Sequence, residues 1–232
     1  MNAVSIITGD SGTGKTTSCR NLGRDTVLLN VERKALPFKP KGIINQSVEN
    51  MEELYRNLDR LTVTEKVKTV VIDSFSDISD MVYAACKQRY KGFDIFSNYN
   101  SIIYDLFQRI KRLKVDYVFV IAHNELLMDS NGRPIRRVKV RGKEFEGFLE
   151  RYATCLFCAI PFIDDTSKKV QYKFLCQTDG SYSAKTPMDM FGTDWIDNDL
   201  AQIVEVYDDF YKDSTITLTE AAPTLLPQES GN

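Results

Sequence analysis

Histidine is nearly missing from this 232-residue chain: His123 is the only one. That leaves little from which to build a histidine-rich metal centre. Cysteines number five (Cys19, Cys86, Cys155, Cys158 and Cys176), an odd and scattered set that fits a reducing compartment rather than a disulfide framework. Cys155 and Cys158 form a C-x-x-C, but Leu156 and Phe157 between them lie in an apolar run. No second Cys/His pair accompanies them, so core packing is the reading taken, with metal or redox use as its alternative. No run approaches the roughly 18 apolar residues of a membrane span. The opening Met-Asn-Ala-Val-Ser-Ile-Ile-Thr-Gly has neither the charged start nor the long apolar stretch of a signal peptide. The expectation is a cytoplasmic protein with no membrane partner. Net charge is also scarce, with 30 Lys and Arg against 32 Asp and Glu. This excludes a uniformly basic nucleic-acid coat but not a local basic patch.

What is present is globular: 43% hydrophobic and 11% aromatic residues are enough for a sizeable core. A short apolar strand over residues 4–8 leads into a glycine-rich turn, and a helix is expected from Lys15 to about Leu22. A second strand covers residues 26–31, and Pro37 and Pro40 then impose a loop. Met51, Leu54, Leu58 and Leu61 have helical spacing. The nearly unbroken β-branched run at 67–72 is typical of a strand buried on both faces. Helices are predicted at 75–89 and 98–113, and a buried strand at 115–122. The turn 129–132 separates two short apolar runs, and residues 145–152 form a short helix. Late strands at 153–160 and 170–176 are joined by a polar turn. This alternation predicts an α/β fold with a mostly parallel central sheet flanked by helices and an antiparallel C-terminal edge. Residues 1–211 are read as one domain and 212–232 as an unstructured tail.

The strongest signal is Gly9-Asp10-Ser11-Gly12-Thr13-Gly14-Lys15-Thr16-Thr17, which fits G-x-x-x-x-G-K-[ST] at every fixed position, between a strand and a helix. The glycines allow a tight turn whose amides point at phosphate oxygens. Lys15 would reach the β- and γ-phosphates of ATP, and the Thr16 hydroxyl would ligate Mg²⁺. Val70-Val71-Ile72-Asp73 supplies the second metal carboxylate, Asp73, at a strand end.

Hydrolysis also needs a group that activates water. Ser74, not a glutamate, follows Asp73, so Glu32 at the end of the second strand is the candidate base; a plain surface carboxylate is the alternative. His123 ends the 115–122 strand on the same predicted edge, as a candidate γ-phosphate contact or an ordinary strand-end histidine. Beyond it, Arg133, Arg136, Arg137, Lys139, Arg141 and Lys143 make a stretch with six cations and no acid. Such a stretch engages phosphates through counterion release, or protects an edge strand by charge. Alternation with Val138 and Val140 places Arg137, Lys139 and Arg141 on one strand face. Tyr90, Phe93, Phe96 and Tyr99 cluster around a separate loop and are read mainly as core or helix-docking residues.

With these residues in place, the chain over roughly residues 1–190 resembles the RecA-core P-loop ATPases, and more narrowly the compact phage single-strand annealing or recombination ATPases. Leu28-Leu29-Asn30-Val31-Glu32 resembles that family's strand with a water-activating terminal glutamate. Val70-Val71-Ile72-Asp73-Ser74 resembles its Walker B strand, and Val120-Ile121-Ala122-His123 the strand ending in a polar phosphate sensor. The resemblance implies catalytic roles for Lys15, Glu32, Asp73 and His123, single-stranded DNA as partner of segment 133–143, and a homo-oligomer. It also implies that Lys185, in Ser183-Ala184-Lys185-Thr186, acts on a neighbouring subunit's nucleotide. A single-strand-binding or recombination protein is a further expected partner. The phosphate loop begins at Gly9, so the N-terminal oligomerisation segment of full-length recombinases is not seen. Annealing is therefore expected in preference to strand exchange. A helicase or loader motor and a non-enzymatic nucleotide switch are the competing readings.

Overall fold

The computed structural model describes residues 3–142, 145, 147–164, 166 and 168–212; the expected tail beyond Lys212 lies outside the described residues. In chain order they form β1 (Ala3–Thr8), a 3-10 helix (Thr16–Asn21), β2 (Thr26–Asn30), β3 (Ile44–Ser47) and α1 (Met51–Leu61). Next come β4 (Thr69–Asp73), α2 (Phe75–Arg89), α3 (Asp94–Lys111), β5 (Tyr117–Ile121), β6 (Asn124–Met128) and β7 (Pro134–Val138). The chain closes with α4 (Phe148–Tyr152), β8 (Cys155–Ile163), β9 (Val170–Leu175), β10 (Trp195–Asp197) and α5 (Leu200–Phe210).

Eight strands make one sheet in the order β10-β9-β8-β1-β5-β4-β2-β3. From β8 to β3 every pairing is parallel; only β9 and β10 run antiparallel. The fold is therefore the expected α/β architecture, although β8 itself belongs to the parallel part and the antiparallel edge begins one strand later. Strand alternation sorts the core into two layers. Val4 and Ile6 of β1 pack with Leu54, Phe75, Ile103, Phe107 and Leu149, from the helices on one face. Ile7 packs with Cys19, Leu22, Leu200, Ile203 and Tyr207 on the other. Covering both faces is why all five residues of β4 are buried.

Local sequence sets the helix starts. Asn50 accepts the Glu53 amide at 3.0 Å to cap α1, and Ser74 caps α2 through the Asp77 amide. The helix after the phosphate loop is 3-10 and six residues long. Thr16, Thr17 and Ser18 are weak α-formers, and the Ser18 hydroxyl donates to the Lys15 carbonyl at 2.5 Å. Three elements have no counterpart in the sequence reading: β3, β10 and α5. α5 is capped by Asp199, whose side chain accepts the Ala201 amide at 3.1 Å. It is anchored by a 2.6 Å hydrogen bond between buried Tyr207 and Ser5 hydroxyls.

Candidate active site

Because β1, β5, β4 and β2 lie side by side and parallel, their C-terminal ends bring the 9–14 loop, His123, Asp73 and Glu32 to one edge. The loop is crowded from outside. A Cβ on Gly14, at φ +87°, would lie 2.8 Å from the Tyr172 ring; one on Gly9 would lie 2.7 Å from the Ala159 carbonyl oxygen. Only glycine satisfies both the backbone and the space. Lys15 is buried and donates to the Gly9 carbonyl at 2.9 Å and the Asp10 carbonyl at 2.7 Å, so its ammonium is held inside the loop. Burial pulls its pKa down, against the opposing charges of Asp73, Glu32 and Asp10. Thr13 donates to the Asp10 carbonyl at 2.9 Å and stiffens the turn.

Thr16 donates its hydroxyl to Asp73 Oδ2 at 2.6 Å, so the two candidate magnesium ligands are already together. Asp73 is 4% exposed. Burial, opposed by the Thr16 hydrogen bond and reinforced by Glu32, lifts its carboxyl to about 6. The Asp73 carbonyl accepts both the Val31 amide at 2.7 Å and the Glu32 amide at 3.3 Å, which fixes Glu32 beside it. Glu32 Oε2 meets Lys34 Nζ at 2.7 Å, and Oε1 faces His123 Nε2 at 3.3 Å. Burial alone would raise the Glu32 carboxyl; the bond and charge of Lys34, with His123 behind them, bring it below its ordinary value. Thr16, Glu32, Lys34, Pro37 and Asp73 help line a cleft of about 180 Å³. The sequence reading missed Lys34, although a lysine two residues past a strand-end glutamate was its signal.

His123 is also the joint to the basic hairpin. Its amide donates to Ser76 Oγ at 3.0 Å, Ser76 donates to the Lys139 carbonyl at 3.1 Å, and the Lys139 amide donates to the His123 carbonyl at 2.8 Å. β6 and β7 form that hairpin, with Glu125 opposite Arg137. The strand ladder stops at Val138, yet the alternation continues, with Val138 and Val140 buried and Lys139 and Arg141 exposed. Some of the charge is used internally. Arg136 lies 3.6 Å from Asp10 of the phosphate loop and over the Tyr182 ring; Arg141 pairs with Asp80 at 2.7 Å and lies over Tyr83. Arg133 is exposed on the hairpin turn, and Lys143 lies outside the described residues.

The aromatics after α2 are not a separate group. Tyr99 is core, but Tyr83 bridges Arg141 to Phe96, and Phe93 is 82% exposed. Lys87, Arg89 and Lys91 are exposed beside them, a second basic and aromatic surface that the sequence reading passed over. Lys185 is not brought to the phosphate loop. Its backbone pairs with Leu156, and its charge falls on Glu150 and Cys155. Cys155 and Cys158 are both buried on β8, but they belong to clusters on opposite faces of the strand, so they cannot chelate one ion.

The glycine cradle, the buried Lys15 and the hard oxygen pair of Thr16 and Asp73 fit a magnesium nucleotide. Fold and site together define a P-loop ATPase domain. The chain belongs to the AAA domain family, whose match covers residues 1–172; β10 and α5 lie beyond it. No curated protein matches the chain. Among the described residues no helix is long and apolar enough to cross a membrane.

Proposed function

We propose that this protein is a Mg²⁺-dependent ATPase of RecA type that acts on single-stranded DNA in phage-type recombination or strand annealing. The observation that carries the reading is His123: its ring touches the candidate base Glu32 while its backbone holds Lys139 of the basic hairpin. Bound magnesium and ATP supply an electrophilic γ-phosphoryl group. Thr16 and Asp73 hold the metal, and Lys15 provides positive charge to the phosphate oxygens. Glu32, kept ionised by Lys34 and His123, accepts a proton from water. His123 links the state of that carboxylate to the hairpin.

Single-stranded DNA is supported by the cations of the hairpin and by the mixed cations and aromatics at 87–96, since phosphates need the first and bases stack on the second. In a homo-oligomer Lys185 would complete a neighbour's site. The Arg136–Asp10 pair, which ties the hairpin to the phosphate loop, also suits a nucleotide switch with a protein partner. ATP turnover with and without single-stranded DNA separates the two. Stimulation, with salt-dependent binding, supports the ATPase acting on DNA; unstimulated turnover and no binding support the switch. Duplex unwinding without annealing would favour a motor.

A further inference from the structure

Glu32, Asp77 and His123 come from three different elements: the residues following β2, the first turn of α2, and the residues following β5. One donor atom from each lies within 4.8 Å of the other two. We propose that these three side chains form a site for a transition-metal divalent cation such as Zn²⁺, distinct from the magnesium position at Thr16 and Asp73.

The donor set argues for the class of ion. An imidazole with two carboxylates suits zinc, cobalt or manganese better than magnesium, which prefers oxygen and keeps its waters. Bonds of about 2.1 Å in a tetrahedral site place ligand atoms about 3.4 Å apart. His123 Nε2 and Glu32 Oε1 stand at 3.3 Å already, and the third donor, within 4.8 Å of both, has at most about 1.4 Å to close. All three residues are half-buried, so a fourth position stays open to water. The supporting groups are also in place. Lys34 holds Glu32 Oε2 and leaves Oε1 directed at His123, while Ser74 hydrogen-bonds Asp77 Oδ2 and leaves its other oxygen available. Partners of this kind orient metal ligands. Ligation uses the neutral imidazole through Nε2, with its proton on Nδ1.

Occupancy has a consequence that rests on the proposed role of Glu32. A carboxylate bonded to zinc cannot take a proton from water, so the ion would halt hydrolysis.

The test uses the full chain without nucleotide and Co²⁺ as a spectroscopic probe. The expected result is one bound Co²⁺ with visible bands of oxygen and nitrogen ligation, displaced by Zn²⁺. Asp77→Asn keeps the helix cap and should weaken binding roughly tenfold or more; His123→Gln should weaken it as well. Equal binding by the wild type and both variants, or a thiolate-to-cobalt charge-transfer band, would overturn the site and assign the ion to cysteine. Turnover is then measured with Zn²⁺. Asp77→Asn should match wild type without zinc and resist inhibition with it. Asp77-dependent binding without inhibition keeps the site and removes Glu32 as base. Loss of Asp77-dependent binding while Glu32→Gln stays inactive removes the site and keeps the base.

Discussion

His123 Nε2 lies 3.3 Å from Glu32 Oε1, across the width of β4. The two residues follow the strands on either side of the one that carries Asp73. Their contact joins the group assigned to activate water with the group assigned to sense phosphate. It also places Glu32 between Lys34 and His123, so its carboxylate is ionised and oriented before any substrate arrives.

Asp73 is expected to trade stability for metal binding. Its carboxyl stands at about 6 rather than 3.8, so the folded state binds the extra proton between those values. Stability therefore falls as pH rises from about 4 to 6, and the full penalty persists above 6. Asp73→Asn removes that penalty while still accepting from Thr16. It should raise stability at pH 8 by on the order of 3 kcal/mol and show little gain at pH 4. Thermal unfolding at the two pH values measures this. In the wild type, magnesium-dependent nucleotide binding should weaken as pH falls through about 6.

Gly14→Ala is expected to damage the phosphate loop twice over. The backbone there is at φ +87°, and the new methyl would lie 2.8 Å from the Tyr172 ring. Strain at such a position is roughly 1–3 kcal/mol. Adding Tyr172→Ala opens the space but leaves the backbone strain, so it should restore only part of the lost stability. Nucleotide affinity and unfolding of the two proteins check this.

α5 lies outside the stretch matched to the AAA domain but is part of the same core. Tyr207→Phe would leave the fully buried Ser5 hydroxyl without its 2.6 Å partner. The expected loss is about 1–2 kcal/mol in denaturant unfolding, with nucleotide affinity unchanged.

If the hairpin binds DNA phosphates, Arg133→Ala should lower the salt slope of single-strand binding by about one unit. Asp10→Asn frees Arg136 from a solvent-exposed pair, which contributes little to stability, so the expected gain is in DNA affinity rather than in melting temperature. Binding titrations over a range of salt read both effects.

Local features were legible in the sequence because local chemistry decides them. The phosphate loop is contiguous, β4 is a β-branched run, and α2 starts and stops where Ser74 and Arg89 say it should. The 3-10 character of residues 16–21 was not legible, because it turns on competition from the Ser18 side chain. Nor was the meeting of Glu32, Lys34, Asp77 and His123, which depends on the strand order β1-β5-β4-β2 and on two amides sharing the Asp73 carbonyl. α5 carries the Leu200, Ile203 and Tyr207 spacing of a helix, but the surface it docks on is built from residues 19–28 and 119–121, remote in sequence. By residue type, Tyr90, Phe93, Phe96 and Tyr99 read mainly as core or helix-docking residues. Only the packing of Tyr83 under Arg141 reveals that their exposed members adjoin the basic segment.

The most direct test is ATP turnover by Glu32→Gln, with nucleotide affinity measured on the same protein. Glutamine keeps the shape and can still meet Lys34 or His123, but it cannot accept the proton. The account predicts a fall in turnover of roughly a hundredfold or more with affinity nearly unchanged. Turnover within a few-fold of wild type would contradict it and require another base.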